Sequence, residues 1–297
     1  MFVIPRSIQE SNWSIVHMSL DEYRSHLAKY NLPANLAERA HAYFLRYGYY
    51  AKDAHPIKAI KGFQEYFGLE VDGELGPKTV RAMGASRCGC RDTERLEVAE
   101  ARLGQKDWTV YIQGYVDDIG KSEQLAVWQQ IFQHVSTICN LNVKLVDSKS
   151  ADVIVDVGRG SKFDFDGSGG VLGWAEIGST QNRQQLLMLD LDETWVLTTA
   201  RRGILIAHVG YHEFGHIWGL THSKKNNQLL SPYYSETVGL PQSEDIQRLV
   251  SIYGKPLTVT PIDPPLPPTS PGTKSLTVTF TGEISNLKAD GWFVRRL

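Results

Sequence analysis

Apolar side chains recur at helical spacing through the N-terminal part of the chain. Pro56 opens one of these segments, and a turn-rich stretch at residues 67–77 precedes the last of them. The pattern predicts helices at residues 21–30, 36–47, 56–66 and 78–83. We therefore expect a helical unit in the first part of the chain.

From Trp108 onward, short β-rich runs alternate with helical ones. Strands are predicted at residues 109–112, 143–146, 152–157 and 186–191, and helices at residues 124–135, 198–220 and 243–253. An order of strand, helix and strand favours parallel pairing in an α/β layer. Residues 158–182 are rich in glycine and turn residues, whereas residues 85–107 are polar and irregular, as expected of a connecting segment.

The C-terminal end begins with a proline-dense stretch, residues 256–272, which predicts a semi-rigid, extended linker. The residues after it hold one strand-like run, 275–280, which is too little to bury a core of its own. The chain is therefore expected to divide into a helical unit (1–84), a connecting segment (85–107), an α/β unit (108–254), a linker (255–273) and a short β-rich tail (274–297).

Composition narrows the class of protein. Hydrophobic residues make up 42% of the 297 residues and charged residues 22%, which excludes wholesale disorder and a fibrous protein. The net charge of −2 gives no general attraction to nucleic acid or to an anionic membrane. The sequence lacks an apolar run of about 18 residues that could span a membrane. The apolar run at residues 2–4 is too short for the core of a secretion signal, so either the chain is not exported by that route or a signal was removed or missed upstream.

The three cysteines, Cys88, Cys90 and Cys139, are odd in number and do not form a disulfide framework. Cys88 and Cys90 are too close in sequence for an easy bridge to each other. Free thiols are typical of a reducing compartment. The alternative is that one thiol has a chemical role.

The most informative segment is HEFGHIWGLTH, which begins at His212. His216 follows four positions later, so on a helix both imidazoles face one side and can bind one ion. Glu213 lies beside them, and Gly219 tolerates the left-handed turn that brings His222 back as a third ligand. Three imidazoles with an open fourth position are typical of catalytic zinc. The alternative, a helix that is histidine-rich by chance, would produce this spacing at roughly 10⁻⁷ per position.

These residues resemble the zinc-binding motif of the matrixin family, the matrix metalloproteinase-like branch of the metzincins. The resemblance covers residues 57–254. It implies a helical-bundle prodomain followed by a metzincin catalytic domain, with a twisted mixed sheet and long helices, of α+β or α/β class. It also implies a zinc endopeptidase with Glu213 as general base. Leu230 stands at the methionine position of the family's Met-turn, and its similar volume is expected to preserve that apolar floor.

Residues 87–92, RCGCRD, resemble the cysteine switch of the same family. The resemblance implies that Cys88 binds the zinc as a fourth ligand and keeps the chain latent, since a thiolate is a strong zinc ligand. Arg87 is expected to pair with Asp92 and hold the loop rigid, whereas Cys90 is expected to take no part. Activating cleavage is expected between residues 92 and 108.

The helical unit resembles peptidoglycan-binding-like domains, which also form matrixin propeptides. Residues 60–79 carry this resemblance. Two interpretations remain open. The unit either shields the cleft without binding glycan, which we favour, or binds a cell-wall glycan.

The glycine-rich stretch at residues 165–172 resembles the family's calcium loop. Carboxylates and backbone carbonyls would supply six oxygen ligands, a set that suits Ca²⁺; they come from Asp166, Asp190 and Glu193, and from the carbonyls of Gly167, Gly169 and Val171. The alternative is an acidic turn beside a solvated strand end. The family's second zinc would fall at Arg159, Ser161, Trp174 and Met188. These are not plausible zinc ligands, so we expect one zinc per chain.

The resemblance also implies an extended substrate that adds to an edge strand at residues 170–177. The residues implied in substrate binding are Gly170, Val171, Leu172, Gly173, Trp174, Ala175, Tyr233 and Tyr234. The apolar content of residues 232–241 predicts a preference for a hydrophobic side chain.

The function expected is therefore a latent zinc endopeptidase that cleaves proteins or peptides. We expect a monomer without a nucleic-acid partner, in a secreted or cell-envelope location. The alternative is a cell-wall or glycan-binding protein whose protease domain is latent or inactive. Leu230 and the helical unit favour the alternative, whereas the intact histidine motif and Glu213 favour the enzyme.

Overall fold

The computed structural model describes residues 13–50, 55–92, 105–177 and 184–256. The predicted strand at residues 275–280, the tail and nearly all of the linker lie outside these residues, as does most of the expected cleavage region. Among the helices of the described ranges, none is long and apolar enough to cross a membrane.

The N-terminal unit consists of the helices α1 (Trp13–Lys29), α2 (Leu36–Arg46), α3 (Pro56–Tyr66) and α4 (Pro77–Met83). Proline opens α3 and α4, at a position where the helix needs no N–H donor. The helices enclose an aromatic core in which the ring centroids of Phe44 and Phe63 lie 5.7 Å apart. The predicted helices are confirmed, with α1 beginning earlier than expected.

The second unit is built on a six-stranded mixed sheet. Its strands are β1 (Arg87–Cys88), β2 (Asp107–Ile112), β3 (Asn142–Leu145), β4 (Val153–Gly158), β5 (Val171–Ala175) and β6 (Gln185–Asp190), in the spatial order β1-β5-β6-β4-β2-β3. The neighbours β3, β2, β4 and β6 are parallel, whereas β5 is antiparallel to β6 and β1 is parallel to β5. The predicted parallel pairing is therefore confirmed within a sheet of α+β type.

The helices of the second unit are α5 (Lys121–Ile138), α6 (Ile206–Ile217) and α7 (Ser243–Tyr253). Phe214 joins α6 to α5, because its ring centroid lies 4.8 Å from that of Phe132 and 5.9 Å from that of Trp128. Burying each such ring stabilises the fold by roughly 1.5–3 kcal/mol. This core holds α6, which carries the histidine motif, in a fixed position against β5.

The long helix predicted at residues 198–220 is wrong in its first part. There the chain forms β8 (Ile204–Leu205), which pairs with β7 (Trp195–Val196) before α6 begins. The Ile204 N–H donates to Thr194 O at 2.8 Å, so pairing with a separate strand overrides the local helical pattern. The connecting segment predicted to be irregular likewise contains β1.

Gly210 allows α6 to approach α5 closely, because a Cβ at this position would lie 2.8 Å from Trp128 Cη2 and nearer still to Cζ3. We expect Gly210→Ala to lower the free energy of unfolding by about 1–3 kcal/mol, since the buried indole has no room to move. The matched control is Gly62→Ala in α3, where the new Cβ would lie 3.7 Å from Tyr49 Cδ1. That change should stabilise the chain slightly through helix propensity. Denaturant unfolding measures both, and equal effects would contradict this account of the packing.

Candidate metal centre

Three buried histidines converge at the C-terminal end of α6. His212 and His216 lie one turn apart on the helix, and Gly219, with φ of +88°, makes the left-handed turn after it. His222 follows this turn. The ring centroids lie 4.8 Å apart for His212 and His216, 4.8 Å for His216 and His222, and 5.4 Å for His212 and His222. The three imidazoles can therefore share one ion.

Each imidazole is anchored through its Nδ1 atom to one oxygen acceptor. His212 Nδ1 lies 2.7 Å from Leu229 O, His216 Nδ1 lies 2.7 Å from Leu220 O, and His222 Nδ1 lies 2.9 Å from Asp92 Oδ1. With Nδ1 as the donor, each Nε2 presents its lone pair to the centre. The His222 Nε2 is buried and has no hydrogen-bond partner within the described part of the chain.

Burial keeps these imidazoles in the neutral form that binds metal. Burial, with repulsion from His222, lowers the pKa of His212 to about 3 and the pKa of His216 well below its usual value. It also lowers the pKa of His222, against the opposing effect of Asp92. The ligand atoms of the three histidines and Cys88 Sγ all lie within 4.8 Å of one another. One sulfur and three imidazole nitrogens suit a zinc ion.

Glu213 is fully buried beside this set of ligands. Its Oε2 lies 3.5 Å from Cys88 Sγ, and its Oε1 has no hydrogen-bond partner among the described residues. Burial raises the pKa of Glu213 to about 8. The carboxyl group can therefore exchange a proton near neutral pH.

The switch segment, residues 87–92, enters the groove between β5 and the loop at residues 231–234. Its backbone N–H groups donate to both walls: Arg87 to Gly170 O at 2.9 Å, Gly89 to Gly173 O at 2.8 Å and Cys88 to Pro232 O at 2.9 Å. These bonds direct Cys88 Sγ inward, to 3.5 Å from His216 Nε2. Burial raises the pKa of the Cys88 thiol well above its usual range, so the thiol is protonated unless a cation binds it.

The edge predicted to receive a substrate is paired with β1. The parallel β1 covers the outer edge of β5, the strand that contains most of the predicted substrate-binding residues. On the opposite wall Tyr233 forms a bridge with Arg87, and the Tyr234 N–H donates to Ser86 O at 3.0 Å. A cavity beside the histidines is lined in part by Leu172, His208, Leu229 and Val238. The switch segment therefore uses main-chain groups that an added strand would need.

The predicted pairing of Arg87 with Asp92 is confirmed. Arg87 Nη2 lies 2.6 Å from Asp92 Oδ1, and the two side chains are 2% and 0% exposed. The guanidinium also lies 3.5 Å from the centroid of the Tyr47 ring, a cation–π contact with the helical unit. The switch segment is thus held by both units of the chain.

Sequence patterns did not predict two contacts that the switch segment makes. Asp92 binds His222, a residue 130 positions away for which no local pattern exists. Cys90 Sγ donates to Ala175 O at 3.2 Å and lies 4.0 Å from Glu213 Oε2, so Cys90 belongs to the centre. Its spacing from Cys88 is a signal that was available, because alternate residues of an extended segment share a face.

Leu230 forms the floor beneath the histidine helix. It is fully buried, and a Cβ on Gly215 of α6 would lie 2.9 Å from its Cδ2. The buried Asp245 at the start of α7 holds this loop, because it accepts the N–H groups of Leu229 at 2.8 Å and Leu230 at 3.3 Å. Leucine therefore fills the floor beneath α6 without introducing an unpaired polar group.

The predicted calcium loop gathers like charges. Asp166 Oδ1 accepts the Val171 N–H at 2.8 Å, and Glu193 Oε1 accepts the Gly169 N–H at 2.6 Å. Asp190 Oδ2 is buried and, within the described ranges, has no hydrogen-bond partner. Burial and repulsion from nearby carboxylates raise the pKa of Asp190 to about 6, and both effects also raise the pKa of Glu193.

These oxygens do not form a closed cage. Asp166, Asp190 and Glu193 are not among the described groups whose ligand atoms all lie within 4.8 Å of one another. Gly167 and Gly169 have φ of +88° and +87°, so the loop between them takes a path that glycine adopts readily. An unpartnered buried oxygen among like charges still suits a cation.

The residues at the four positions of the family's second zinc site form ion pairs, apolar contacts or a turn. Arg159 pairs with Asp117 at 2.9 Å and with Asp192 at 2.8 Å. Trp174 and Met188 face each other across β5 and β6 and belong to one apolar cluster. Ser161 lies in a short 3₁₀ turn. Apolar packing and ion pairs thus occupy the region where those ligands would stand.

Comparison with known proteins gives the class to which this arrangement belongs. The matrixin family model matches residues 102–254, and a peptidoglycan-binding domain model matches residues 39–83. Matrix metalloproteinase-18 of Xenopus laevis is 33% identical over 267 residues, covering 82% of this chain and 54% of the relative. The chain belongs to the matrixin family.

Other relatives agree with this membership. Macrophage metalloelastase of Rattus norvegicus is 30% identical, covering 83% of this chain and 55% of the relative. Interstitial collagenase of Equus caballus is 31% identical, covering 80% of this chain and 52% of the relative. The chain therefore spans about half the length of the curated relatives it matches.

Proposed function

We propose that this chain is a zinc-dependent endopeptidase of matrixin type, held latent by Cys88. The observation that carries the proposal is the buried convergence of one thiol and three imidazoles within 4.8 Å, next to the buried Glu213. The ligands would be His212, His216 and His222, with Cys88 as the fourth in the latent chain. Membership of the matrixin family supports the same assignment.

Glu213 would be the general base of this reaction. When bound, zinc would polarise the scissile carbonyl and stabilise the charge that develops on its oxygen. Glu213 would accept a proton from the attacking water and transfer it to the leaving amine. Its position supports this role, because the carboxyl group lies beside the proposed ligands and its Oε1 has no hydrogen-bond partner among the described residues.

A protein or peptide substrate would lie extended along β5, in the groove that the switch segment fills. The carbonyl oxygens of Gly170 and Gly173, which accept N–H groups of the switch segment in this structure, would then accept N–H groups of the substrate backbone. Tyr233 and Tyr234 would form the opposite wall, and the cavity beside His212 would receive a hydrophobic side chain.

The helical unit would act as a shield over this groove. The Phe67 ring lies 4.6 Å from the Tyr233 ring, and Tyr43 OH lies 3.5 Å from Tyr233 OH. Arg46 donates to Asp164 O at 2.8 Å. In the latent chain, Phe67 and Tyr43 of the helical unit would therefore already be in contact with the wall of the groove, which favours shielding over glycan binding. We also infer a secreted or cell-envelope location from the family membership, and we propose that the chain is a monomer.

The glycan-binding alternative rests on the match of residues 39–83 to a peptidoglycan-binding domain. Co-sedimentation of the full chain with insoluble peptidoglycan tests it. Binding in the absence of any peptide hydrolysis by the Cys88→Ala chain would favour the alternative over the enzyme.

Calcium would bind at the acidic loop as a structural ion. The proposed ligands are the carboxylates of Asp166, Asp190 and Glu193 with the carbonyls of Gly167, Gly169 and Val171. The buried, unpartnered Asp190 Oδ2 supports this assignment.

We predict that Cys88→Ala raises peptide hydrolysis in the full chain, because the fourth ligand position then opens and the switch segment would lose its direct tie to the metal. The matched control is Cys139→Ala, which removes another buried thiol, one that lies in a different part of the fold. A quenched-fluorescence peptide with a central hydrophobic residue measures the activity. Equal latency of the Cys88→Ala chain and the unmodified chain would contradict the switch.

We predict that Glu213→Ala in the Cys88→Ala background lowers turnover by about 10²–10⁴-fold, the usual loss when a general base is removed. Elemental analysis should find one zinc per chain before and after the change, because the histidines are untouched. Turnover near that of the parent would remove Glu213 from the mechanism.

We predict that calcium raises the melting temperature more at a pH of about 7 than at a pH of about 5. The folded-state pKa of Asp190, about 6, lies above its unfolded value, so without calcium the folded state loses stability as the pH rises through that range. Calcium binds the ionised carboxylate and offsets this loss. Calorimetry with calcium or a chelator at both pH values measures the shift.

The control for this prediction is Asp190→Asn, which should shrink the calcium shift and weaken its dependence on pH, with Glu193 left as a ligand whose pKa is also raised. A calcium shift of the same size at both pH values in the unmodified chain would show that Asp190 is not a ligand.

A further inference from the structure

The three imidazole anchors differ in where they come from. Leu229 O and Leu220 O, which hold His212 and His216, lie within the matrixin match at residues 102–254. Asp92, which holds His222, lies before that range, on the switch segment. The third ligand therefore takes its orientation from a part of the chain that is not in the catalytic unit.

Both carboxylate oxygens of Asp92 accept hydrogen bonds. Its Oδ1 receives Arg87 Nη2 at 2.6 Å and His222 Nδ1 at 2.9 Å, and its Oδ2 receives the Tyr49 hydroxyl at 2.7 Å. Its own N–H donates to Tyr47 O at 3.1 Å. The side chain is out of contact with solvent. These contacts fix the carboxylate in position before any metal binds.

We propose that Asp92 is a positioning residue of the zinc centre, so that the latent chain holds zinc more tightly than a chain that lacks this carboxylate. The inference rests on the zinc site proposed above. A carboxylate behind a ligating imidazole fixes the ring orientation and tautomer and makes Nε2 a better donor, and loss of such a partner costs about 10–100-fold in metal affinity.

The coupling acts in both directions. If Asp92 strengthens zinc binding at His222, then zinc at His222 strengthens the hold on Asp92 by the same factor. The metal would therefore retain the switch segment through two routes, Cys88 directly and Asp92 through the imidazole. A zinc-free chain would hold this segment less firmly.

The test compares zinc affinity in the full chain with Cys88→Ala as the parent, because this background removes the contribution of the thiol. Asp92→Asn in that parent keeps the side-chain shape and removes the charge. Competition with a chromophoric chelator should show a zinc dissociation constant raised about 10-fold or more. The matched control is Tyr49→Phe, which removes a hydrogen bond to the same carboxylate but keeps its charge and its bond to His222, so it should raise the zinc dissociation constant much less than Asp92→Asn does.

A second measurement separates positioning from a general loss of structure. In zinc-loaded chains with ¹⁵N-labelled histidine, the Nδ1–H resonance of His222 should move on Asp92→Asn, while those of His212 and His216, on carbonyl acceptors, should stay. Equal zinc affinity of the parent and Asp92→Asn, or equal movement of all three resonances, would overturn the inference. Failure of the parent to bind zinc at all would overturn the proposed function as well.

Discussion

A buried ionisable group must be paired or neutral, and the arrangement of the whole centre follows from this constraint. Arg87 keeps its charge at any physiological pH, so its burial requires the equally buried carboxylate of Asp92. Removing one partner of such a pair costs about 3–5 kcal/mol, because the other is left as a buried charge. The histidines and Glu213 meet the same constraint by neutrality, since burial lowers the pKa values of the imidazoles and raises that of the carboxyl group.

In the proposed latent state, the switch segment would compete with a substrate for one sheet edge, the outer edge of β5. β1 contributes only two residues to its pairing with β5, which by itself gives weak association. The switch segment therefore depends on its side chains and on the helical unit, where Phe67 packs on Tyr233 and Tyr47 packs on Arg87. Side-chain packing and the buried ion pair hold the segment in the groove. The pairing of β1 with β5 sets the direction in which the segment runs along the groove.

Sequence patterns predicted those features whose contacts are local. α7 occupies residues 243–253 as predicted, and the convergence of His212 and His216 follows from one helical turn. The β7–β8 pair was missed because it depends on Trp195 meeting Ile204 across a turn, which competes with a locally helical pattern. The contact of Asp92 with His222 was missed for the same reason at a larger separation. Chemistry that arises where distant segments meet leaves no periodicity to detect.

A cut between residues 92 and 108 would break the chain without breaking the contacts that hold the switch segment. The Tyr43 hydroxyl accepts a hydrogen bond from Arg87, and the Tyr49 hydroxyl donates one to Asp92. Both tyrosines belong to the helical unit and would stay on the same fragment as Cys88. Because Arg87 and Asp92 would leave as a pair, neither buried charge would be left behind on the catalytic unit. Release of this fragment would therefore remove the thiol, uncover the edge of β5 and take away the His222 acceptor in a single event.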